Sequence, residues 1–566
     1  MTSSAGQKGS APPAVPADFD LLAAAATALR AARPLRNPKL RDAAELLRQK
    51  QPEECERLLT KFLEKHPEDA TAIHLMAKTV LNRGQREKAE KLFAQSLAIA
   101  PDFAGARFDY ANSLLQQNKP ADALLQLDDF LARDPANALG LDLKAVVLSA
   151  MGRHADSMEY RRRLVENHPL SPELWIKYGW ALRSIGDREQ SEAALRRAVE
   201  LRAANGEAWW NLAELKDLRF TDEEIATIQT QLADPDVAGE SRMYLHFTLG
   251  KIYGDAKEFD KSFENYARGN AIKRLTLEYD PDWLTRQVKK CRALFTPEVM
   301  KARRGWGSAA SGPIFIVGMQ RAGSTLLEQI LASHSQVEAA AELPDITLLA
   351  EHIGERIAPD YRSDYPGVLA LLDEPTINQF GESYMETTRF RRPLARAFFT
   401  DKMPFNFLHI GLIHLALPHA KIIDIRRHPL GCCFSNFSLN FKFGALFAYR
   451  LAELGRAYAD YIELLAHFDA VLPGRILRVF YEDLVRHPER EIRRVLDHVG
   501  LPFEDACLRF HENARTMDSI SAVQVRRPLS DNAVDFWRNY DPWLGPLKAA
   551  LGPVLTAYPD APPFNF

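Results

Sequence analysis

Cysteine is scarce and irregular in this chain of 566 residues. Its five cysteines, Cys55, Cys291, Cys432, Cys433 and Cys507, are scattered and odd in number. That argues against a disulfide framework, and no C-x-x-C pair marks a zinc site. Buried, reduced thiols in a cytoplasmic protein are the expectation. Long hydrophobic runs are missing too: none reaches the ~18 apolar residues of a membrane-spanning helix. The first residues, Met1-Thr2-Ser3-Ser4-Ala5-Gly6, lack the basic and apolar regions of a signal peptide. Charge of one sign is also absent. The formal net charge is -3, with 46% hydrophobic and 26% charged residues, a balance that gives no support to a nucleic-acid or anionic-membrane partner. Neither an H-E-x-x-H helix nor a carboxylate cluster is present, so no metal is expected. Any anion site must be a local cluster of Arg and Lys.

What is there begins with length, since single cores stop growing near ~250–300 residues and more than one domain is implied. Residues 1–36, rich in Ala, Ser and Pro, are read as a tail in which 19–32 has helical potential. A repeat of 34 residues follows. Pro67, Pro101, Pro135 and Pro169 keep the interval, as do Ala77, Ala111, Ala145, Gly179 and Ala213. So do Gly84, Asn118, Gly152 and Gly186, and Ala89, Ala123, Ser157 and Ser191. Small residues where antiparallel helices cross, Gly or Asn at the turn and Pro after the second helix are the tetratricopeptide signature. Five or six units are expected over 37–275, the last spanning 243–274, with Gly250 and Ser262 at its small positions and Tyr253, Phe259, Phe263 and Tyr266 packing. Such an array is an all-α solenoid in which each unit buries its apolar stripe against its neighbours.

Residues 276–310 read as a helical linker ending in Gly and Ser, and 311–566 as a second domain. Short apolar runs at 314–317, 397–400, 421–425 and 476–480 alternate with helical stretches. That pattern predicts an α/β domain with a parallel sheet, whose ligands sit beyond the carboxyl ends of the strands. Directly after the first run stands Gly318-Met319-Gln320-Arg321-Ala322-Gly323-Ser324-Thr325, which opens a helical pattern. Strand, Gly-bearing turn and helix aim backbone N–H groups at an anion. Gly318 and Gly323 keep a Walker spacing, but Ser324 fills the Lys slot and Arg321 lies inside the loop. The loop is P-loop-like without being an ATPase loop, which disfavours a kinase-like enzyme.

Arg321-Ala322-Gly323-Ser324-Thr325-Leu326 resembles the 5′-phosphosulfate loop of sulfotransferases that use 3′-phosphoadenosine 5′-phosphosulfate (PAPS). The likeness is to the tyrosylprotein branch and to bacterial proteins that join it to tetratricopeptide repeats; it covers roughly 311–550, and the repeats cover most of what precedes. It implies a sulfuryl transfer to an acceptor hydroxyl, with PAPS as cosubstrate, no metal, and a protein or peptide acceptor recruited through the repeat groove. Tyrosine, a glycan hydroxyl and a small metabolite all stay open as acceptors. The rival reading is an interaction scaffold carrying a degenerate nucleotide-binding domain.

Residue by residue, the resemblance implies that Arg321, Ala322, Gly323, Ser324 and Thr325 hold the 5′-phosphosulfate. Arg427 and Ser435, eight residues apart, match the Arg and Ser that hold the 3′-phosphate, a task suited to the planar guanidinium fork. A further basic residue expected one turn on is replaced by Leu439 and Asn440, with Lys442 nearby. Tyr481, in Arg478-Val479-Phe480-Tyr481-Glu482-Asp483-Leu484, is assigned to the adenine. Ser521 and Arg526 are the candidates from the C-terminal Ser521-Ala522-Val523-Gln524-Val525-Arg526-Arg527-Pro528 segment for a second 3′-phosphate contact. There Phe536, followed by Trp537 and Arg538, replaces the family's Lys. Glu342, in Ala341-Glu342-Leu343-Pro344, stands where the tyrosylprotein enzymes carry their base, and Lys402 matches the Lys that faces the bridging oxygen. Small-molecule sulfotransferases use a His instead, so His334, His409 and His414 are rival bases, with His334 also suited to a structural turn.

Overall fold

The computed structural model describes residues 21–31, 35–215, 218–357, 365–441, 444–513, 515 and 524–564. A helix at Leu21–Ala31 precedes the array. Antiparallel pairs then follow: Pro38–Arg48 with Pro52–Leu63, Ala70–Asn82 with Arg86–Ile99, Ala104–Gln116 with Pro120–Arg133, Ala138–Ala150 with His154–Asn167, and Pro172–Ile185 with Arg188–Leu201. The period has a backbone cause. Gly84, Asn118, Gly152 and Gly186 all adopt positive φ, 77°, 58°, 74° and 91°, at the turn inside each pair, a conformation that Gly and Asn tolerate best. Lys50, 34 residues before Gly84, turns the first pair at φ 57°. The small positions tie the helices of a pair together: Cys55 Sγ donates to the Ala43 carbonyl at 3.3 Å and Ser157 Oγ to that of Ala145 at 2.7 Å.

The chain divides into two compact units. One holds the described residues up to Gly179 with Ala193–Asn205, and the other Trp180–Glu192 with Gly206–Phe566. The division falls near 205 and not at the expected 275, for a physical reason. Helices Gly239–Asp255 and Phe259–Leu275 do form an antiparallel pair, with Ser262 Oγ donating to the Gly250 carbonyl at 2.6 Å. Their apolar faces, through Met243, Tyr244, Phe247 and Tyr266, and Trp210 of Gly206–Ala213, belong to one buried cluster that continues through the sheet to Val554. The expected linker is part of the same core: Leu284, Val288, Cys291 and Phe295 are buried, and the Phe295 ring packs on Phe468 at 5.7 Å.

The sheet has five parallel strands in the order β2-β3-β1-β4-β5: β1 Pro313–Val317, β2 Val337–Ala339, β3 Phe398–Asp401, β4 Lys421–Arg426 and β5 Ile476–Phe480. The short edge strand β2 was not foreseen, since three residues leave no periodicity to detect. Every residue of β1 is buried, as expected of a central strand covered on both faces. β1 pairs with β3 on one side and β4 on the other, so the segments leaving these three strands emerge as neighbours at one edge.

Candidate functional site

The phosphate loop leaves β1 and enters helix Ser324–Ala332. Gly323 is the residue before that helix, left-handed at φ 104°, and no side chain caps the helix. A helix start without a side-chain cap is the kind of place where backbone N–H groups meet an anion. A Cβ at Gly323 would lie 2.7 Å from Cδ2 of Tyr481, so glycine alone lets that ring close on the loop. Ala322, Ser324 and Thr325 are buried around it. Arg321 also takes a left-handed φ, 66°, and its Nε donates to Ser435 Oγ at 3.1 Å. Ser435 rides on helix Pro429–Phe437, whose Asn436 Nδ2 holds the Gln320 carbonyl at 2.8 Å.

Arg427 completes this cluster. Its Nη1 donates to the Arg321 carbonyl at 3.3 Å, Nη2 reaches the Ala533 carbonyl, and its guanidinium lies 4.9 Å above the Tyr481 ring. Its Nε is buried without a hydrogen-bond partner among the described residues. The preceding Arg426 bonds the buried Asp424 carboxylate through Nη2 at 2.9 Å, whereas Arg427 is the one of the two that bonds the phosphate loop. Burial, and then the positive Arg427 against the opposing Glu214 carboxylate, holds the Arg321 guanidinium below its ordinary value. Two neighbouring guanidinium groups, that of Arg427 buried, are relieved by an anion. Arg321, Arg427, Ser435 and Tyr481, four expected residues from three segments of sequence, are thus brought together, and the donor set suits a phosphate-bearing nucleotide.

A second cluster forms where β3 ends. The Lys402 N–H donates to the Ala341 carbonyl at 3.0 Å and the Ala340 N–H to that of Thr400 at 3.2 Å. This extension of the β2–β3 pairing sets Glu342 beside Lys402, and their side chains form an ion pair. The Lys402 side chain is 2% exposed and that of Glu342 51%. Burial works against the Lys402 charge, but the Glu342 and Glu328 carboxylates outweigh it and hold the ammonium above its ordinary value. The Gly318 N–H donates to the Pro404 carbonyl at 3.1 Å, fastening the start of the phosphate loop to the segment just after Lys402.

Two residues that sequence reasoning missed belong to this cluster. Glu328, buried on the loop helix, accepts from Arg515 Nη2 at 2.9 Å and Thr400 Oγ1 at 3.2 Å. Burial favours its neutral form, yet Arg515 and Lys402 prevail and hold its carboxyl below the usual range. The carboxylate at the fifth helical position was the only sequence hint, since a Glu inside an apolar run such as 324–332 demands a cation.

The remaining expectations fall elsewhere. Ser521 and Lys442 lie outside the described residues. Arg526 donates to the carbonyls of Ile185 and Arg515 and makes no contact with Arg427 or Ser435 among the described residues. Arg538 pairs with Asp535 at 2.9 Å, and Phe536 packs 5.7 Å from Tyr540. His334 is a buried turn residue: its Nδ1 accepts from the Gln336 N–H at 3.1 Å, and its Nε2 meets the Pro502 carbonyl at 3.0 Å. His409 Nδ1 contacts Tyr365 Oη at 2.7 Å, and burial pushes His409 and His414 down to about 4. None of the three touches the Glu342–Lys402 pair. Among the described residues no group of three or more His, Cys, Asp and Glu is arranged to hold a metal, and no helix is long and apolar enough to cross a membrane. All five cysteines are buried and unpaired.

Residues 313–505 match the model of the sulfotransferase family, and residues 81–147 and 172–205 match models of the tetratricopeptide repeat. The chain is 30% identical over 414 residues to an uncharacterized protein of Aquifex aeolicus (strain VF5), covering 72% of this chain and 54% of that one. It is 26% identical over 239 residues to protein-tyrosine sulfotransferase 1 of Danio rerio, covering 40% and 65% of the two chains. With the sulfotransferase domain from the Synechococcus PCC 7002 olefin synthase it shares 20% identity over 42% of this chain and 90% of that one, at a TM-score of 0.31. The chain thus spans 54% to 65% of the length of these two sequence relatives. Along the chain, matches to the tetratricopeptide repeat thus precede a match to the sulfotransferase family.

Proposed function

We propose that the sheet domain transfers a sulfuryl group from PAPS to an acceptor hydroxyl, and that the repeats recruit a protein or peptide acceptor. The observation that carries this reading is the Glu342–Lys402 ion pair, a base and a cation set side by side where β3 ends and tied through Gly318 to the phosphate loop. Sulfuryl transfer needs both, along with charge on the departing phosphate neutralised. When bound, PAPS would supply the activated sulfuryl group. Glu342 takes the proton from the acceptor hydroxyl as its oxygen bonds to sulfur. Arg321 and Lys402 face the negative charge that grows on the 5′-phosphate oxygen as its bond to sulfur breaks, and adenosine 3′,5′-bisphosphate leaves. The N–H groups of 322–325 cradle the 5′ end, Arg427 and Ser435 hold the 3′-phosphate, and Tyr481 borders the adenine. Ser521 joins the 3′-phosphate group on its sequence motif alone. Arg526 does not, because its guanidinium is turned to Ile185 and Arg515. Tyrosine in a protein is the acceptor suggested by the Danio rerio relative, and buried reduced thiols fit a cytoplasmic setting.

The test is sulfate transfer from labelled PAPS, with no added metal, to a panel of tyrosine peptides, glycans and phenols. Transfer to the peptides is expected. Tight binding of adenosine 3′,5′-bisphosphate with no transfer to any acceptor would leave a nucleotide-binding scaffold in place of an enzyme.

A further inference from the structure

The contacts of Arg526 lead from a repeat turn to the proposed catalytic lysine. Its Nη1 donates to the Ile185 carbonyl at 3.3 Å and its Nη2 to the Arg515 carbonyl at 3.4 Å. Ile185 ends helix Pro172–Ile185, and Gly186 makes the left-handed turn that follows. A Cβ at Gly186 would lie 1.8 Å from Arg526 Nη1. The guanidinium thus occupies the space that any side chain at 186 would need. Arg515, whose carbonyl Arg526 holds, reaches Gln329 Oε1 at 2.7 Å through Nε and Glu328 Oε2 at 2.9 Å through Nη2. Glu328 in turn is bonded by Thr400, two residues before Lys402.

We propose that the Ile185–Gly186 turn is a latch for Arg526: docked on it, Arg526 holds Arg515 against Glu328 and so leaves Lys402 to Glu342 and the departing phosphate. Arg526 and Arg515 are then positioning residues for the transfer reaction, on which this inference rests. The physical reason is the burial of Glu328. A carboxylate out of water needs a cation, and with Arg515 withdrawn the remaining neighbouring ammonium is that of Lys402. Drawn onto Glu328, Lys402 would no longer face the reacting oxygen. The turn, both arginines and the sheet lie in the same compact unit, so the chain of contacts is continuous within it. A shift of the turn is then read as a change in turnover.

The repeat itself supplies a matched control. Asn118 shows that asparagine fits this turn, at φ 58°, and a Cβ at Gly152 would meet nothing within 4 Å. Gly186→Asn therefore keeps the turn and evicts Arg526, whereas Gly152→Asn makes the same change where nothing is displaced. Arg526→Gln removes the latch from the other side and leaves the turn untouched. In the full-length protein, with labelled PAPS and nitrophenol, Gly186→Asn and Arg526→Gln should each lower kcat by roughly 2–30-fold, and the double variant should be no worse than either. Gly152→Asn should match the parent, and calorimetry should give all four the parent affinity for adenosine 3′,5′-bisphosphate. Hydrogen exchange in peptides covering 505–530 should quicken in Gly186→Asn and Arg526→Gln only. Weaker nucleotide binding in Arg526→Gln alone overturns the latch and returns Arg526 to the nucleotide; additive losses in the double variant overturn it too. Should the parent transfer no sulfate, the proposed reaction fails, and the exchange comparison still decides: equal exchange in all the proteins overturns the latch.

Discussion

At the scale of the residue, Glu342 and Lys402 neutralise each other before any substrate arrives. The buried ammonium cannot move far, whereas the carboxylate is half-exposed, so in the proposed reaction a phosphate oxygen that attracts Lys402 would free Glu342 to work as a base. Glu342→Gln keeps the shape and a hydrogen-bond acceptor but cannot take a proton. It should leave affinity for adenosine 3′,5′-bisphosphate unchanged and lower kcat on an unactivated phenol by about 10²–10⁴-fold. The loss should shrink on nitrophenol, whose hydroxyl is more acidic. Rates on both phenols and a binding isotherm check this, and near-normal kcat on the plain phenol would remove Glu342 as the base. The pair was legible in the sequence only through motif, because the two residues stand 60 apart and nothing in either neighbourhood names the other. Arg515 and Glu328 were not legible as partners: a buried carboxylate signals that a cation must come, not from where.

At the scale of the element, the segment running from Pro404–His409 into helix Ile410–Ala416 carries two histidines that burial keeps neutral. Both sit at about 4, below their ordinary 6.5. Between those values the unfolded chain binds protons that the folded chain refuses, so stability falls as pH drops from about 6.5 towards 4. Asp460, pushed up to about 6 by burial, acts in the opposite sense over part of that range, since its folded form takes up a proton first. The histidine share is therefore isolated by comparison with His409→Gln/His414→Gln. Urea midpoints at pH 7 and pH 5 should fall more in the parent than in the double variant. The helix pairs themselves were legible because each turn imposes a left-handed residue every 34 positions. Lys50 and Lys257, at φ 57° and 63°, make the same kind of turn without any residue type to announce it. The edge strand β2 was hidden by its brevity.

At the scale of the whole molecule, the sequence shows repeats and an α/β domain but not where one core ends. Trp210, Phe247 and Tyr266 make the same apolar stripe whether it faces another repeat or a sheet domain. Here helix Phe259–Leu275 braces the sheet domain: Phe263 stacks on Trp543 at 5.4 Å, Asn270 Nδ2 holds the Phe437 carbonyl at 2.8 Å, and Ser262 Oγ accepts from Tyr540 Oη at 2.9 Å. A chain beginning at residue 311 strips these partners away and bares their apolar faces, so it should aggregate. One beginning before Pro172 keeps whole helices and should stay monodisperse and bind adenosine 3′,5′-bisphosphate. Gel filtration and calorimetry of the two truncations check this; a folded, nucleotide-binding chain from 311 would show the brace to be dispensable. The matched repeats also stop at residue 205, where the compact units divide. For lineage the consequence is plain: a gene rearrangement that trades one repeat array for another should cut upstream of Pro172, because Trp180–Glu192 and the helices beyond Gly206 share a compact unit with the sheet and must be handed down with it, as heirlooms.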